Sequence, residues 1–503
     1  MSRTADHGAL FAIDIAPRDA APLHRRISDA LRTGIEAGRL PAGTRLPSTR
    51  TLASEWKVSR NTVLQVFETL TAEGYLAGRV GDGTYVAALA AAPPVAAASE
   101  PGSGAASGTY PFRSVSQRGR ILIAQSVGTL SERPVPFMPD VPDLRAFPLR
   151  SWLRIMNEVS GRLTGSVLVD VSNAGYGPLR EAIARHLRVT RDIVCTPEEI
   201  IVTTGSQQSL DLVTRLLVER GDPVWIEDPG YFGTRAAIAA NGCSVVPVAT
   251  DREGLVVEDA VGRMPAPRMI VVSPARNYPL GDRLSPDRAK ALLEHAYGCG
   301  AWIVEDDYDS DFVYGGPPHR PLRSRDPQQR VVYVGTFSKT MLPSFRLGFI
   351  VAPSDLAADF ARARAVVDRH APILEQMVLA EFMHRGLYAA HLRRMRAIYG
   401  ARQAALVAVL REELGYEVPP SQLAAGMHLV LPLAPGEDDI ALARLLAGRG
   451  VMARPLSIYG VGIERRRGLL LGYAGFEESE IRRSGAALRD LAGRIADHAS
   501  RGI

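Results

Sequence analysis

The sequence predicts a two-part chain: an all-α-rich winged helix-turn-helix unit, then an α/β unit with a mostly parallel sheet and a smaller α+β C-terminal subdomain. Three observations predict it. Residues 22–86 read as three helix-period stretches and a Gly-rich hairpin. A run of Ala, Pro, Gly and Ser follows. Beyond it, short continuous apolar runs alternate with helix-period stretches, the pattern of βα units whose strands are covered on both faces.

The first helix is expected over 22–37, with Leu23, Ile27, Ala30, Leu31 and Ile35 on one face and Gly38 ending it. A second runs from near Ser48 to Lys57, and a third begins after Ser59, its expected N-cap. Tyr75–Ala77 and Thr84–Val86 read as two short strands joined by GRVGDG. This first domain spans 1–87. The run Ala87 to Gly108 carries one charge, Glu100, and cannot bury enough side chain to offset its ordering entropy. A flexible linker is therefore expected over 88–109. The third part, 110–503, holds strands at 200–205, 224–228, 269–274, 301–307, 331–336 and 347–353, with helices such as Gln208–Glu219 and Asp287–Tyr297 between them. Its C-terminal subdomain is expected from about 390.

Composition narrows the function class. At 46% hydrophobic and 22% charged over 503 residues, the chain is not disordered as a whole and can bury a core without metal or disulfide staples. Cys195, Cys243 and Cys299 form no CxxC pair, which argues against a zinc ribbon and for a reducing compartment. No run of 18 apolar residues suggests a membrane span, and Asp6 and Asp14 interrupt any signal-like segment. A cytoplasmic protein is expected, with no metal site. A net charge of +5 says little about nucleic acid unless the cations cluster.

They do cluster in the first unit. The start of the third helix reads Ser59-Arg60-Asn61-Thr62, the end of a helix-turn-helix that enters the major groove. Its hydroxyls, amide and guanidinium suit phosphate oxygens and base edges. Arg45, Ser48 and Arg50 lie in the approach to it, and Arg79 lies in the wing. Ser48 and Ser59 could instead be plain N-caps. The segments LPSTRTLA, VSRNTV and GDGTYV make this unit resemble the GntR-family winged-helix readers over its whole length. The resemblance implies that Arg50, Arg60 and the wing contact double-stranded operator DNA.

Only Lys57, Lys290 and Lys339 are lysines among 59 basic residues. Lys339 follows a buried-looking strand in VVYVGTFSKT, an awkward place for an ammonium unless it is paired or neutralised. A Schiff base with an aldehyde cofactor removes that conflict, and pyridoxal 5'-phosphate fits. Thr336, Ser338 and Arg346 can surround its phosphate, and Ser206 and Gln207 open a helix whose N–H groups suit an anion. Asp306 can keep the pyridine nitrogen protonated, Tyr308 can bond the phenolic oxygen, and Tyr231 can lie against the ring. Taken alone, EDDYDSD could also be a solvated acidic turn or a metal site.

From about Tyr110 onward the chain resembles the fold type I aminotransferases, the fold of pyridoxal-phosphate-dependent transferases. Joined to a GntR-type reader, the whole chain is similar to the MocR-type transcriptional regulators. The resemblance implies that the aminotransferase-like part senses an effector and forms a homodimer. Two departures stand out. Where relatives commonly carry His-Gln before an aromatic-Pro-x-Gly turn, this chain has Arg276-Asn277, so that Asn277 or Tyr278 could meet the cofactor's ring oxygen. Near the C-terminus, Leu470 falls about where many aminotransferases carry the arginine that clamps a substrate carboxylate, with Arg454 or Arg467 as substitutes.

The expected function is thus a regulator that holds pyridoxal phosphate on Lys339 and senses the cofactor, an amine or an amino acid. The alternative is a working pyridoxal-phosphate-dependent aminotransferase with an accessory DNA-binding domain.

Overall fold

The computed structural model describes residues 22–79, 82–88, 115–124, 134–163, 165, 172–315, 319–462 and 466–495. The chain divides into two compact units, Met1–Tyr110 and Pro111–Ile503. The expected linker lies outside the described residues, except for residue 88.

In the first unit, α1 (Leu23–Glu36), α2 (Thr49–Glu55) and α3 (Arg60–Ala72) precede an antiparallel hairpin of β1 (Leu76–Arg79) and β2 (Gly83–Val86). The periodicity of α1 works as a core stripe: Ile27, Leu31 and Ile35 are buried against Leu52, Val63, Val66 and Leu70. Leu23, expected on that face, is 42% exposed because it sits at the helix's first position, beyond the reach of α3. Gly38 follows at φ 71°, a left-handed stop that costs glycine little.

The larger unit is built on an eight-stranded sheet. Its strands are β3 (Ile200–Thr203), β4 (Pro223–Asp228), β5 (Ser244–Asp251), β6 (Gly254–Leu255), β7 (Met269–Val272), β8 (Trp302–Asp307), β9 (Val331–Thr336) and β10 (Gly348–Val351). They lie in the order β3-β10-β9-β8-β7-β4-β5-β6. The run β9-β8-β7-β4-β5 is parallel; β10 is antiparallel to both its neighbours, and β6 to β5. Alternate residues serve opposite faces. Val224 and Ile226 pack with Leu210 and Val213 of α5 (Ser206–Leu217), which follows α4 (Gly177–Arg191), whereas Trp225 packs with Leu292 and Leu293 of α7 (Pro286–Cys299), which follows α6 (Phe232–Ala240). This two-sided burial is why the strands read as continuous apolar runs.

Beyond the long helix α8 (Leu387–Leu414), a three-stranded antiparallel sheet has the order β11 (His428–Pro432), β13 (Gly468–Gly472), β12 (Arg454–Pro455). An upstream segment joins it: Phe137 and Pro136 carbonyls accept from the Gly472 and Met452 amides at 2.8 and 2.9 Å. Among the described residues, no helix is long and apolar enough to cross a membrane, and no cluster of His, Cys, Asp or Glu could hold a metal ion.

Candidate functional site

The parallel strands end on one side of the sheet, where ligands of α/β folds bind. A cavity of about 600 Å³ opens there. It is lined by Ser206, Gln207, Tyr231, Asp306, Tyr308, Thr336, Ser338, Lys339 and Arg346, nine of the ten residues proposed from the sequence for a cofactor. They come from the ends of β3, β4, β8 and β9 and the turns that follow.

One wall is an open helix N-terminus. Gly205 precedes α5 at φ 112° and offers no side-chain cap, leaving backbone N–H groups of the first turn unclaimed by one. A Cβ built on Gly205 would come within 3.4 Å of Arg346 Nη2, so the guanidinium lies against this same turn. Amide donors, a helix dipole and an arginine converge there, together with the Ser206 and Ser338 side chains. Thr336 Oγ1 accepts from the Ser338 amide at 3.1 Å, ordering the turn that carries Lys339.

Asp306 lies deeper, and its acidic neighbours are all engaged. Glu305 accepts from the Leu322 and Arg323 amides, Asp307 and Asp311 pair with Arg191 at 3.1 and 2.9 Å, and Asp309 pairs with Arg276 at 3.3 Å. Asp306 Oδ1 is buried with no hydrogen-bond partner. Burial, reinforced by the charges of Asp307 and Asp309, pushes its carboxyl up to about 7. The Tyr308 hydroxyl is likewise buried without a partner. EDDYDSD is therefore neither a solvated turn nor a metal cluster, but an ion-paired scaffold that leaves one carboxylate over.

Asn277 departs from the sequence reading. It is fully buried, does not line the cavity, and points its amide nitrogen to the Pro229 carbonyl at 3.4 Å; Tyr278 lines the cavity instead. Its neighbour Arg276 is a buried latch, donating to the Ala425 and His428 carbonyls at 2.8 and 3.1 Å. Of the two substitute arginines, Arg454 lines the cavity, paired in register with Leu470 across the small sheet. Arg467 is held away from it by Asp439 at 3.2 Å.

Lys339 has the kind of partner that its placement requires: its Nζ donates to Asp140 Oδ1 at 2.7 Å. Asp140 is not among the candidates the sequence suggests. It lies 199 residues upstream in an irregular segment, and no motif marks it.

In the first unit, both helix-capping serines act as caps. Ser48 Oγ accepts from the Thr51 amide and Ser59 Oγ from the Thr62 amide, each at 3.1 Å. The Thr62 hydroxyl is tied to Ser59 at 2.8 Å. Arg50, Arg60 and Asn61 remain exposed. The Arg45 backbone bridges to Tyr85 of the wing and its guanidinium lies against Gly83, while the Arg79 guanidinium lies 4.6 Å from the Tyr85 ring centroid. Two cations thus sit at the wing.

Two families match this chain: "Aminotransferase class I and II" over residues 143–487 and "Bacterial regulatory proteins, gntR family" over residues 23–86. The "Probable rhizopine catabolism regulatory protein MocR" of Rhizobium meliloti is 38% identical over 476 residues, 94% of this chain and 95% of that protein. The chain belongs to the MocR-type transcriptional regulators. The "HTH-type transcriptional regulator TauR" of Rhodobacter capsulatus is 31% identical over 470 residues, 93% of this chain and 96% of that protein. Among solved structures, the multiple substrate aminotransferase of Thermococcus profundus is 25% identical with a TM-score of 0.66, covering 75% of this chain and 96% of its own. The α-aminoadipate aminotransferase LysN of Thermus thermophilus is 27% identical with a TM-score of 0.64, over 75% and 95%. The MocR-type architecture thus couples a gntR-type DNA-binding unit to a unit whose fold family depends on pyridoxal phosphate.

Proposed function

We propose that this regulator holds pyridoxal phosphate at Lys339 and reads an amine, an amino acid or the cofactor itself as its signal. The observation that carries the reading is the buried Asp306, whose Oδ1 has no hydrogen-bond partner, in the same cavity as Lys339. Such a carboxylate is costly unless a cationic donor completes it, and a protonated ring nitrogen is one. The uncapped turn of α5 with Arg346 suits the phosphate, Tyr308 has a free hydroxyl for the phenolic oxygen, and Tyr231 offers a ring face.

When bound, the cofactor supplies an aldehyde that bonds primary amines. The chain's residues do the rest. Arg346 and the α5 turn anchor the phosphate, Asp306 keeps the ring nitrogen protonated, and Lys339 provides the covalent tether. A ligand that displaces the lysine can shift DNA binding only by its different affinity for two states of the protein. We further read residues 88–109 as a linker between a reader domain (1–87) and the sensor, the assembly as a homodimer, and its location as cytoplasmic.

Titration of cofactor-free protein with pyridoxal phosphate tests this: visible absorbance should rise to saturation in the wild type and not in Lys339→Ala. Equal absorbance in both would overturn it. The similarity to working aminotransferases favours one second reading, a catalyst with an accessory DNA-binding domain. Multiple turnovers with amino acids and 2-oxoglutarate would favour that reading, and their absence the regulator.

A further inference from the structure

Three donors of the cavity wall converge on a single carboxylate. Asp140 Oδ1 accepts from Lys339 Nζ at 2.7 Å, while Oδ2 accepts from Arg454 Nη1 at 2.7 Å and from the Tyr278 hydroxyl at 2.8 Å. Against the upward push of burial, the charges of Lys339 and Arg454 hold the Asp140 carboxyl well below the usual carboxylate range. Its placement belongs to the fold. Asp140 sits at φ 70° directly after the segment whose Pro136 and Phe137 carbonyls are tied to the small sheet.

Among the described residues that line the cavity, the other arginine is Arg346, which lies against the α5 N-terminus. Arg454 is therefore the cation left for an effector, and it is already bonded to an anion of the chain itself. The surrounding wall is largely apolar, with Met138, Val141, Pro142, Leu144 and Phe232. Leu470, beside Arg454 in register, adds no replacement charge.

We propose that Asp140 occupies the seat a ligand carboxylate would take, so that the effector admitted here is a primary amine with an uncharged body and no carboxylate. A second carboxylate would have to share Arg454 with Asp140 and lie beside a like charge in a half-dry cavity. An amine meets no such conflict. With the cofactor held, an amine that replaced Lys339 on the aldehyde carbon would form one carbon–nitrogen bond as the lysine's broke. Its two nitrogen protons would pass to the released lysine nitrogen, and Asp140 would be the acceptor in place to receive that lysine. This inference rests on the cofactor reading above, but its test separates the two.

The full chain, loaded with pyridoxal phosphate, is titrated by calorimetry with matched pairs: phenethylamine against L-phenylalanine, and propylamine against 4-aminobutyrate. The wild type should bind the carboxylate-free member of each pair at least tenfold more tightly. Asp140→Gly, which keeps the left-handed backbone and frees Arg454, should reverse the order. Asp140→Asn, of nearly the same shape, should abolish the preference. Equal or tighter binding of the carboxylated members by the wild type, no heat from either amine, or an unchanged order in both variants would overturn the proposal. The visible band, absent in Lys339→Ala, reports the cofactor reading independently of these heats.

Discussion

Gly205 and Arg346 meet across the cavity wall: a Cβ on the glycine would stand 3.4 Å from one guanidinium nitrogen and 3.6 Å from the other. A Cβ there would be in ordinary contact; it is the backbone at φ 112° that calls for glycine. The close approach brings a fixed cation to the open end of a helix, which is the arrangement that holds a phosphate. Arg346→Ala should therefore weaken pyridoxal phosphate binding by about 10–100-fold, the worth of one or two charged hydrogen bonds, and leave the weaker binding of pyridoxal nearly unchanged. Titrations with the two compounds check it; equal loss for both would remove Arg346 from the phosphate site.

Asp306 gives a pH signature. In the cofactor-free protein its carboxyl is raised to about 7, so the folded protein holds a proton that the unfolded chain releases near pH 4. Its cost to the fold is absent below about pH 4, grows as the pH rises, and is complete above about pH 7. Cofactor-free Asp306→Asn should thus be more stable than the wild type at pH 8, by up to about 4 kcal/mol, with the difference vanishing towards pH 4. Urea unfolding at the two pH values measures it. With cofactor bound, the order should invert at pH 8, because only the carboxylate can pair with a protonated ring.

Ser59 and Arg60 adjoin, but they act differently. Ser59 caps α3 through the Thr62 amide, so Ser59→Ala should cost about 1 kcal/mol of stability in the first unit. Arg60 is exposed, so Arg60→Ala should leave thermal stability unchanged. It should lower affinity for DNA of the protein's own promoter and reduce the slope of log affinity against log salt by about one. Gel shifts at two salt concentrations separate contact from folding.

Arg276 is fully buried, and its loss would leave Asp309 unpaired and two carbonyls without donors. Arg276→Ala should cost about 3–5 kcal/mol in denaturant unfolding of the larger unit. A loss below about 1 kcal/mol would mean that the latch is not a structural element.

Most of the frame is legible in the sequence because it depends on local patterns. Val224, Trp225 and Ile226 announce a strand buried on both faces, and Gly205, Asp306 and Lys339 each stand at the end of such a strand. What escapes is non-local. Asp140 reaches Lys339 only because residues 136–137 join a sheet formed more than 300 residues later, and no spacing rule encodes that. Arg454 and Arg467 are indistinguishable in sequence; the carboxylates of Asp140 and Asp439 decide which of them faces the cavity. Asn277 and Tyr278 are likewise left open by the sequence, and the fold of the turn places Tyr278, not Asn277, on the cavity wall.

Borohydride reduction of the cofactor-loaded protein, followed by peptide mapping, tests the central claim most directly. With Lys57, Lys290 and Lys339 the only lysines in the sequence, the outcome is unambiguous. The reduced pyridoxyl group should appear on the peptide carrying Lys339 at about one per chain. No label, or label on Lys57 or Lys290 instead, would contradict it.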